Sequence, residues 1–290
     1  MEFRVLQYFL AVAGEQSISA AAKYLHLSQS TLSRQLKELE DELGKTLFLR
    51  GNRKITLTEE GKLLRTRAEE IVRLVQKTEN EITLSEAISG DVYIGAGETE
   101  AVRFIARAAK ALRAEHPGVC CHISSGDASD VLEQLDKGLI DFGVLFEPSD
   151  TSEFNCLKLP QGDIGGVLMR RDSPLAEKSV IMPEDLWDKP LIVSRQHKSG
   201  GMMAAWLQKD FADLDIAATY SLVYNASLMV AEGVGYALCR GGSFNFTCES
   251  DLAFRPFEPP MQVGMSVLWK KHKIMSKPAE RFLCHLRAML

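Results

Sequence analysis

Six residues in one short run carry the first chemical signal: Ser28, Gln29, Ser30, Thr31, Ser33 and Arg34, inside SAAAKYLHLSQSTLSRQLKELEDELG at 19–44. They are poor core residues, and most are indifferent helix formers. Glutamine and arginine can pair bidentately with base edges in a DNA groove, and serine and threonine hydroxyls reach phosphates or bases. Leu32, Leu36, Leu39 and Leu43 recur at helical spacing through the same stretch. On a helix the leucines turn inward and the polar set stays outside. A solvated face on an ordinary helix is the alternative reading. A second set is cationic. Arg50, Arg53 and Lys54 flank Gly51-Asn52 in FLRGNRKITLTEEG (48–61), a hairpin signal between two short strands. A basic hairpin just after a groove-entering helix reads as a wing on the phosphates, which set position while base contacts set sequence.

The elements that must hold these groups follow from periodicity. Residues 3–13 read as a helix with Phe3, Leu6, Phe9, Leu10 and Ala13 on one face. Ser17 or Ser19 caps a second helix, 26–28 turn, and Ser28 caps a third from about Gln29 to Leu43, ended by Gly44. Two short helices about a tight turn form a helix-turn-helix, whose second helix enters the major groove. Thr58 caps a long helix running to about Ser85. Along it Leu64, Ala68, Ile71, Val75, Thr78, Ile82 and Ser85 make a heptad seam, which predicts a dimer through a coiled-coil contact. Packing on its own chain would use the same stripe.

From ISGDVYIGAG (88–97) onward strands and helices alternate. Strands are expected at 91–96, 119–124, 140–146, 165–169, 191–194, 216–222, 236–239 and 261–269. Helices are expected at 102–114, 129–137, 183–187, 201–209, from Ser227 and at 277–290. Such alternation implies parallel βαβ units. In such sheets ligands bind beyond the carboxyl ends of the strands. Four loops qualify: GAGETEA with Glu98, Thr99 and Glu100; SSGDAS with Ser124, Ser125, Asp127 and Ser129; SRQHKSGG with Ser194, Arg195, His197, Lys198 and Ser199; and YNAS with Asn225. Arg195, His197 and Lys198 could hold a carboxylate. Glu98, Glu100 and Asp127 would repel a second one, so an amino acid or a neutral polar molecule fits as well. Each of these residues could equally be part of a solvated loop.

Catalysis is not expected. The chain has no P-loop, no GxSxG elbow and no HExxH pair, and GAGETEA lacks the third glycine of a dinucleotide fingerprint. No cofactor and no metal site are expected either. The six cysteines (Cys120, Cys121, Cys156, Cys239, Cys248 and Cys284) form no CxxC pair, and the six histidines have no telling carboxylate spacing. The 290 residues allow one large domain or two to three smaller ones. The net charge of −5 hides an asymmetry: residues 1–58 hold eight basic and six acidic side chains, so the excess of acid lies beyond them. The start MEFRVLQYFLAVAGEQ carries Glu2 and Arg4 and has no signal-peptide pattern. No run approaches the ~20 apolar residues of a membrane span. A reducing cytoplasm is the expected location. A transport solute-binding protein would leave the N-terminal 88 residues unexplained.

The run FLAVAGEQSISAAAKYLHLSQSTLSRQLKELEDELGKTLFLRGNRKITLTEEG resembles the winged helix-turn-helix of the LysR-type transcriptional regulators over nearly its whole length. The likeness continues more loosely through PLIVS and LVYNASLMVAEGVGYALC. Ser30 stands where many members have proline, and GETE is more acidic than usual. The resemblance implies an α/β protein with three parts. These are an all-α winged helix-turn-helix (1–58), a linker and dimerisation helix (59–88), and a two-lobed effector-binding domain (89–290) like a periplasmic binding protein. Lobe I would be 91–160 with 265–290, lobe II 161–264, and the ligand would lie between them. By the same resemblance Gln29, Thr31, Ser33 and Arg34 match base-contacting or groove-edge positions, Ser28 and Ser30 touch the DNA backbone, and Arg50 and Arg53 match the wing. The implied partners are an inverted-repeat operator in double-stranded DNA, a small coinducer, further copies in a homodimer or homotetramer, and RNA polymerase if the protein activates. No membrane partner is implied. The family mostly senses small organic acids and aromatic carboxylates.

Overall fold

A computed structural model of the chain describes residues 1–50, 54–82, 88–146, 152–160, 162–195, 201–241 and 251–290. It divides into two units, Met1–Thr83 and Leu84–Leu290.

In the first unit α1 (Phe3–Glu15), α2 (Ile18–Tyr24) and α3 (Gln29–Leu43) surround one small core. The Ser17 side chain accepts the Ala20 N–H and the Ser28 side chain accepts the Thr31 N–H, so both helices start where a hydroxyl replaces a missing partner. Gly44, at φ +62°, ends α3 in the left-handed region that glycine enters freely. Phe9, Val12, Leu32, Leu36, Leu39 and Leu47 are buried together, each contributing about 1.5–3 kcal/mol. Leu43, expected to face inward, is exposed in the last turn of α3.

Strands β1 (Phe48–Arg50) and β2 (Ile55–Leu57) pair antiparallel, with Arg50 opposite Ile55. Residues 51–53, with the Gly51-Asn52 turn and Arg53, lie outside the described residues. The hairpin is tied to both neighbours. Glu40 accepts the Leu47 and Phe48 N–H groups, at 2.6 and 3.2 Å. The Thr58 hydroxyl donates to the Thr46 carbonyl and accepts the Gly61 N–H, capping α4 (Glu59–Ile82). A Cβ on Gly61 would stand 2.2 Å from the Leu47 carbonyl oxygen, so only glycine lets α4 start this close to the wing. The expected heptad stripe divides. Ala68 is buried and Leu64 partly buried in the core of their own unit, whereas Ile71 and Ile82 are exposed, as are Leu63 and Leu74 outside the stripe.

The second unit holds two five-membered sheet paths. The first runs β4 (Val119–Ser125), β3 (Gly90–Ala96), β5 (Phe142–Phe146), β13 (Met265–Lys270), β6 (Phe154–Lys158). The second runs β11 (Leu252–Pro256), β7 (Asp163–Arg170), β10 (Tyr236–Arg240), β8 (Leu191–Ser194), β9 (Ile216–Tyr220), with β12 (Gln262–Val263) added to β7. Helices α5 (Val102–Glu115) and α9 (Lys277–Arg287) cover one face of the first sheet, burying Ile105, Leu112 and Phe282 on Val92, Ile94 and Phe142. Helix α6 (Ala128–Asp136) covers the other through Val131 and Leu135. The second sheet lies between α7 (Met202–Leu207) and α8 (Val223–Ala231). Coverage on both faces explains continuous apolar runs such as FGVLF and LIVS.

Three expectations change. The sheets are mixed: β13 runs antiparallel to β5 and β6, and β7 antiparallel to β10 and β11. These are the strands on which the chain passes from one sheet to the other and back. The strand expected at 261–269 is accordingly two strands, β12 in the second sheet and β13 in the first, broken at Gly264. Strands β6 and β11 were not expected, because FNCLK and LAFRP are short and lie outside the βαβ rhythm.

Candidate functional site

On α3, Gln29, Ser30 and Arg34 are exposed, and Thr31 and Ser33 half-buried. Ser28 is also exposed, and its hydroxyl caps the helix and lies 2.9 Å from the Ser30 and 2.8 Å from the Thr31 hydroxyl. The Ser19 hydroxyl donates to the Gln29 side-chain oxygen at 3.1 Å, linking α2 to α3. Arg34 stands 3.8 Å from Glu38, both open to solvent, a pairing worth at most about 1 kcal/mol and easily given up to another anion. Lys54 is exposed at the wing.

In the second unit a cavity of about 560 Å³ opens at the carboxyl ends of β3, β5, β8, β9 and β10, between the two sheets. Its walls are mainly apolar: Leu145, Phe146, Met203, Leu222, Val263 and Met265. Methionine thioethers adapt to irregular shapes.

Two of the polar links that cross from one sheet to the other are made by Glu98 and Asp127. The Glu98 carboxylate, at the end of β3, accepts the N–H groups of Val223 and Tyr224. This explains why α8 starts at Val223 rather than near Ser227. The residue before it, Leu222, has no capping side chain, and the cap comes from a loop far away in sequence. The second link joins Asp127 to Arg195, whose guanidinium also reaches Asp130 at 3.1 Å. Asp127 also caps α6, accepting from the N–H groups of Ser129 and Asp130 at 3.0 and 3.1 Å.

Burial alone would raise the Asp127 pKa. The hydrogen bonds from Ser129, the Asp130 backbone and Arg195 outweigh it and hold the group at about 2. Depression below the ordinary carboxylate value means stability that is present at neutral pH and lost as pH falls from about 4 through about 2. Arg195 is half exposed, so solvent screening leaves about 1–2 kcal/mol. Asp127→Asn keeps the helix cap, since asparagine caps as well as aspartate, and removes the charge. Denaturant midpoints should fall at neutral pH and converge with those of the parent near pH 2. A constant gap across that range would mean the ion pair contributes nothing.

The groups that the loop rule left out are Arg240, Phe146 and Asp163. Arg240, at the carboxyl end of β10, lines the cavity, and its guanidinium carbon lies 3.2 Å from the centre of the Phe146 ring. Burial lowers its pKa to about 10, so it stays charged at neutral pH. Among the described residues its side chain makes no hydrogen bond and no ion pair. Asp163 is buried at the start of β7, and its Oδ2 has no hydrogen-bond partner among the described residues. Burial pushes its pKa up, against the Thr99 hydroxyl and the Arg240 charge.

Of the eight expected effector residues, Glu98, Asp127 and Ser194 line the cavity. Thr99 is buried behind Glu98, where its hydroxyl accepts the Ala101 N–H at 3.1 Å. Arg195 is engaged by Asp127 and Asp130. Ser125, at the end of an edge strand, and Asn225, in the first turn of α8, are exposed and do not line it. His197, with Lys198 and Ser199, lies outside the described residues. The missed signal was CRGG at 239–242: a cation directly after an apolar strand, the position that nominated the other loops.

Residues 3–62 match the bacterial regulatory helix-turn-helix protein, lysR family, and residues 85–290 match the LysR substrate binding domain. The HTH-type transcriptional regulator IlvY of Escherichia coli is 30% identical over 242 residues, covering 82% of this chain and 81% of that protein. The HTH-type transcriptional regulator BsdA of Bacillus subtilis is 30% identical over 295 residues, covering 98% and 99%. Among solved structures the LysR family regulator CbnR superposes with a TM-score of 0.74 at 21% identity, over 99% of both chains. CbnR with its target DNA gives 0.70 over 100% of both. The chain is thus a LysR-type transcriptional regulator, a DNA-binding helix-turn-helix joined to the family's substrate-binding domain.

Proposed function

We propose that this regulator reads an imperfect inverted repeat in double-stranded DNA and changes its grip when a small carboxylate or amino-acid-like effector enters the cavity. Two or four copies act together, in the cytoplasm, with RNA polymerase as a partner if the outcome is activation. The first turn of α3 enters the major groove: Gln29, Thr31, Ser33 and Arg34 face bases or the groove edge, and Ser28 and Ser30 face the sugar-phosphate backbone. Arg50, Arg53 and Lys54 take flanking phosphates. The copies join through the exposed apolar side chains of α4, Leu63, Ile71, Leu74 and Ile82, with Val75 beside them. In the cavity Arg240 takes the effector's carboxylate, and Glu98 or Asp127 takes an amine where there is one.

The observation that carries the DNA-reading half is the division of α3: Leu32, Leu36 and Leu39 are buried while Gln29, Ser30 and Arg34 stay outside. Arg34→Ala is expected to cost about 1–3 kcal/mol, confined to one base pair in each half-site. Lys54→Ala should weaken specific and scrambled DNA alike and reduce the salt slope by about 1. Titrations on both DNAs at several salt concentrations separate the two. Equal losses on both sequences for Arg34→Ala would remove it from base reading.

A further inference from the structure

At the edge of the first sheet, on the face that α6 covers only in part, three side chains of metal-binding type come together outside the cavity. Asp91 on β3 lies opposite Cys120 on β4, in parallel register, and Tyr93 lies opposite His122. Residues two apart on a strand share a face, so Asp91, Cys120 and His122 point the same way. That face is opposite the one on which Val92 and Ile94 enter the core. Cys120 and His122 are exposed and Asp91 is half-buried. A thiol sulfur, an imidazole nitrogen and a carboxylate oxygen from the three all lie within 4.8 Å of one another.

The imidazole is already positioned. His122 Nε2 is 2.8 Å from Asp91 Oδ1, and the ring stacks on Tyr93 with centroids 4.8 Å apart at 15°. We infer that Asp91, Cys120 and His122 form a binding site for a divalent transition-metal ion, zinc foremost. A thiolate, an imidazole and a carboxylate are the donor types zinc takes, and three protein ligands leave a fourth tetrahedral position for water. Tetrahedral zinc bonds of about 2.0–2.3 Å hold donors about 3.3–3.8 Å apart, so small side-chain rotations on two hydrogen-bonded strands complete the geometry. On binding, the Cys120 S–H bond breaks and its proton goes to solvent. His122 coordinates as the neutral imidazole, one ring nitrogen giving its lone pair to the metal while the other keeps the single N–H proton, and Asp91 gives a carboxylate lone pair. The sequence holds the two strand ligands as Cys-x-His, but the aspartate lies 29 residues before the cysteine, and only the strand register joins them.

The test uses the full-length, tag-free, reduced protein, stripped with a chelator and titrated with Co²⁺ alone. One equivalent should bind with a thiolate-to-cobalt charge-transfer band, which Zn²⁺ then abolishes. Cys120→Ser should remove the band, and His122→Ala should weaken binding by more than about 100-fold, beyond the loss from an outer-shell partner. Cys156→Ser and Cys284→Ser, which change exposed thiols elsewhere, should leave it intact. Cys120 is itself exposed, so an unchanged melting temperature in Cys120→Ser without metal shows that folding is not the cause. No thiolate band in the parent, or a band that survives Cys120→Ser, overturns the site.

Discussion

Arg240→Gln is expected to abolish most of the response to the effector while leaving the fold as stable as before. Removing one partner of a buried charge-assisted contact costs about 2–5 kcal/mol, so affinity should fall at least about 30-fold. In the free protein Arg240 makes no hydrogen bond and no ion pair among the described residues, so only its contact with Phe146 and its longer-range pull on Asp163 are lost. Its guanidinium is held over Phe146 and partly stripped of water, and a neutral amide relieves that penalty. A melting screen reads both effects. The panel would span monocarboxylates, dicarboxylates, aromatic acids, amino acids and amines. A ligand at a hundred times its Kd adds about 2.7 kcal/mol to the parent. At the same concentration a 30-fold weaker variant keeps about 0.9 kcal/mol. If a hit retains its full shift in Arg240→Gln, the anion is held elsewhere in the cavity and Arg195 becomes the next residue to test.

Gly61→Ala should be the most damaging single-methyl change in the first unit. On an exposed helix the substitution would stabilise by about 1 kcal/mol. At residue 61 the new Cβ meets the Leu47 carbonyl at 2.2 Å, with the Leu57 side chain at 3.1 Å. Backbone must move, and overpacking of this kind costs about 1–3 kcal/mol, or about 5–20 °C in a unit of this size. Gly14→Ala is the matched control, since nothing lies within 4 Å of its Cβ position in α1. The tryptophans Trp187, Trp206 and Trp269 all belong to the second unit. Their fluorescence should therefore melt unchanged while helical circular dichroism loses an early component. If both signals moved together, the two units would not unfold independently.

The first unit was legible because its signals are local. Serine caps, a leucine stripe and Gly44 each act within a few residues, and the helices start and stop where those residues say. The cavity was legible only in part, because its decisive contacts join residues far apart in the chain. Glu98 caps a helix whose own sequence has no cap, so α8 was placed too late. Arg195 looks like a carboxylate receptor until Asp127, 68 residues away, is seen to occupy it. Arg240 was passed over because GVGYALC reads as a buried strand and the cation after it as its flank. The heptad stripe was legible only in part. One periodicity served two surfaces, and only packing against α1 decides that Ala68 faces inward while Ile71 and Ile82 remain outside.

The place of β13 orders the birth of the protein. The strand lies between β5 and β6 although it comes from residues 265–270, whereas every strand of the second sheet path lies within residues 163–263. A nascent chain leaving the ribosome therefore completes its later sheet before its earlier one. Until residue 270 has emerged, β6 has no neighbour in its sheet. During that interval β5 shows an apolar edge with its amide groups unpaired, the kind of template that recruits a wrong strand. Synthesis of residues 265–287, which also delivers α9 to cover the first sheet, is when the molecule is most exposed to misassembly.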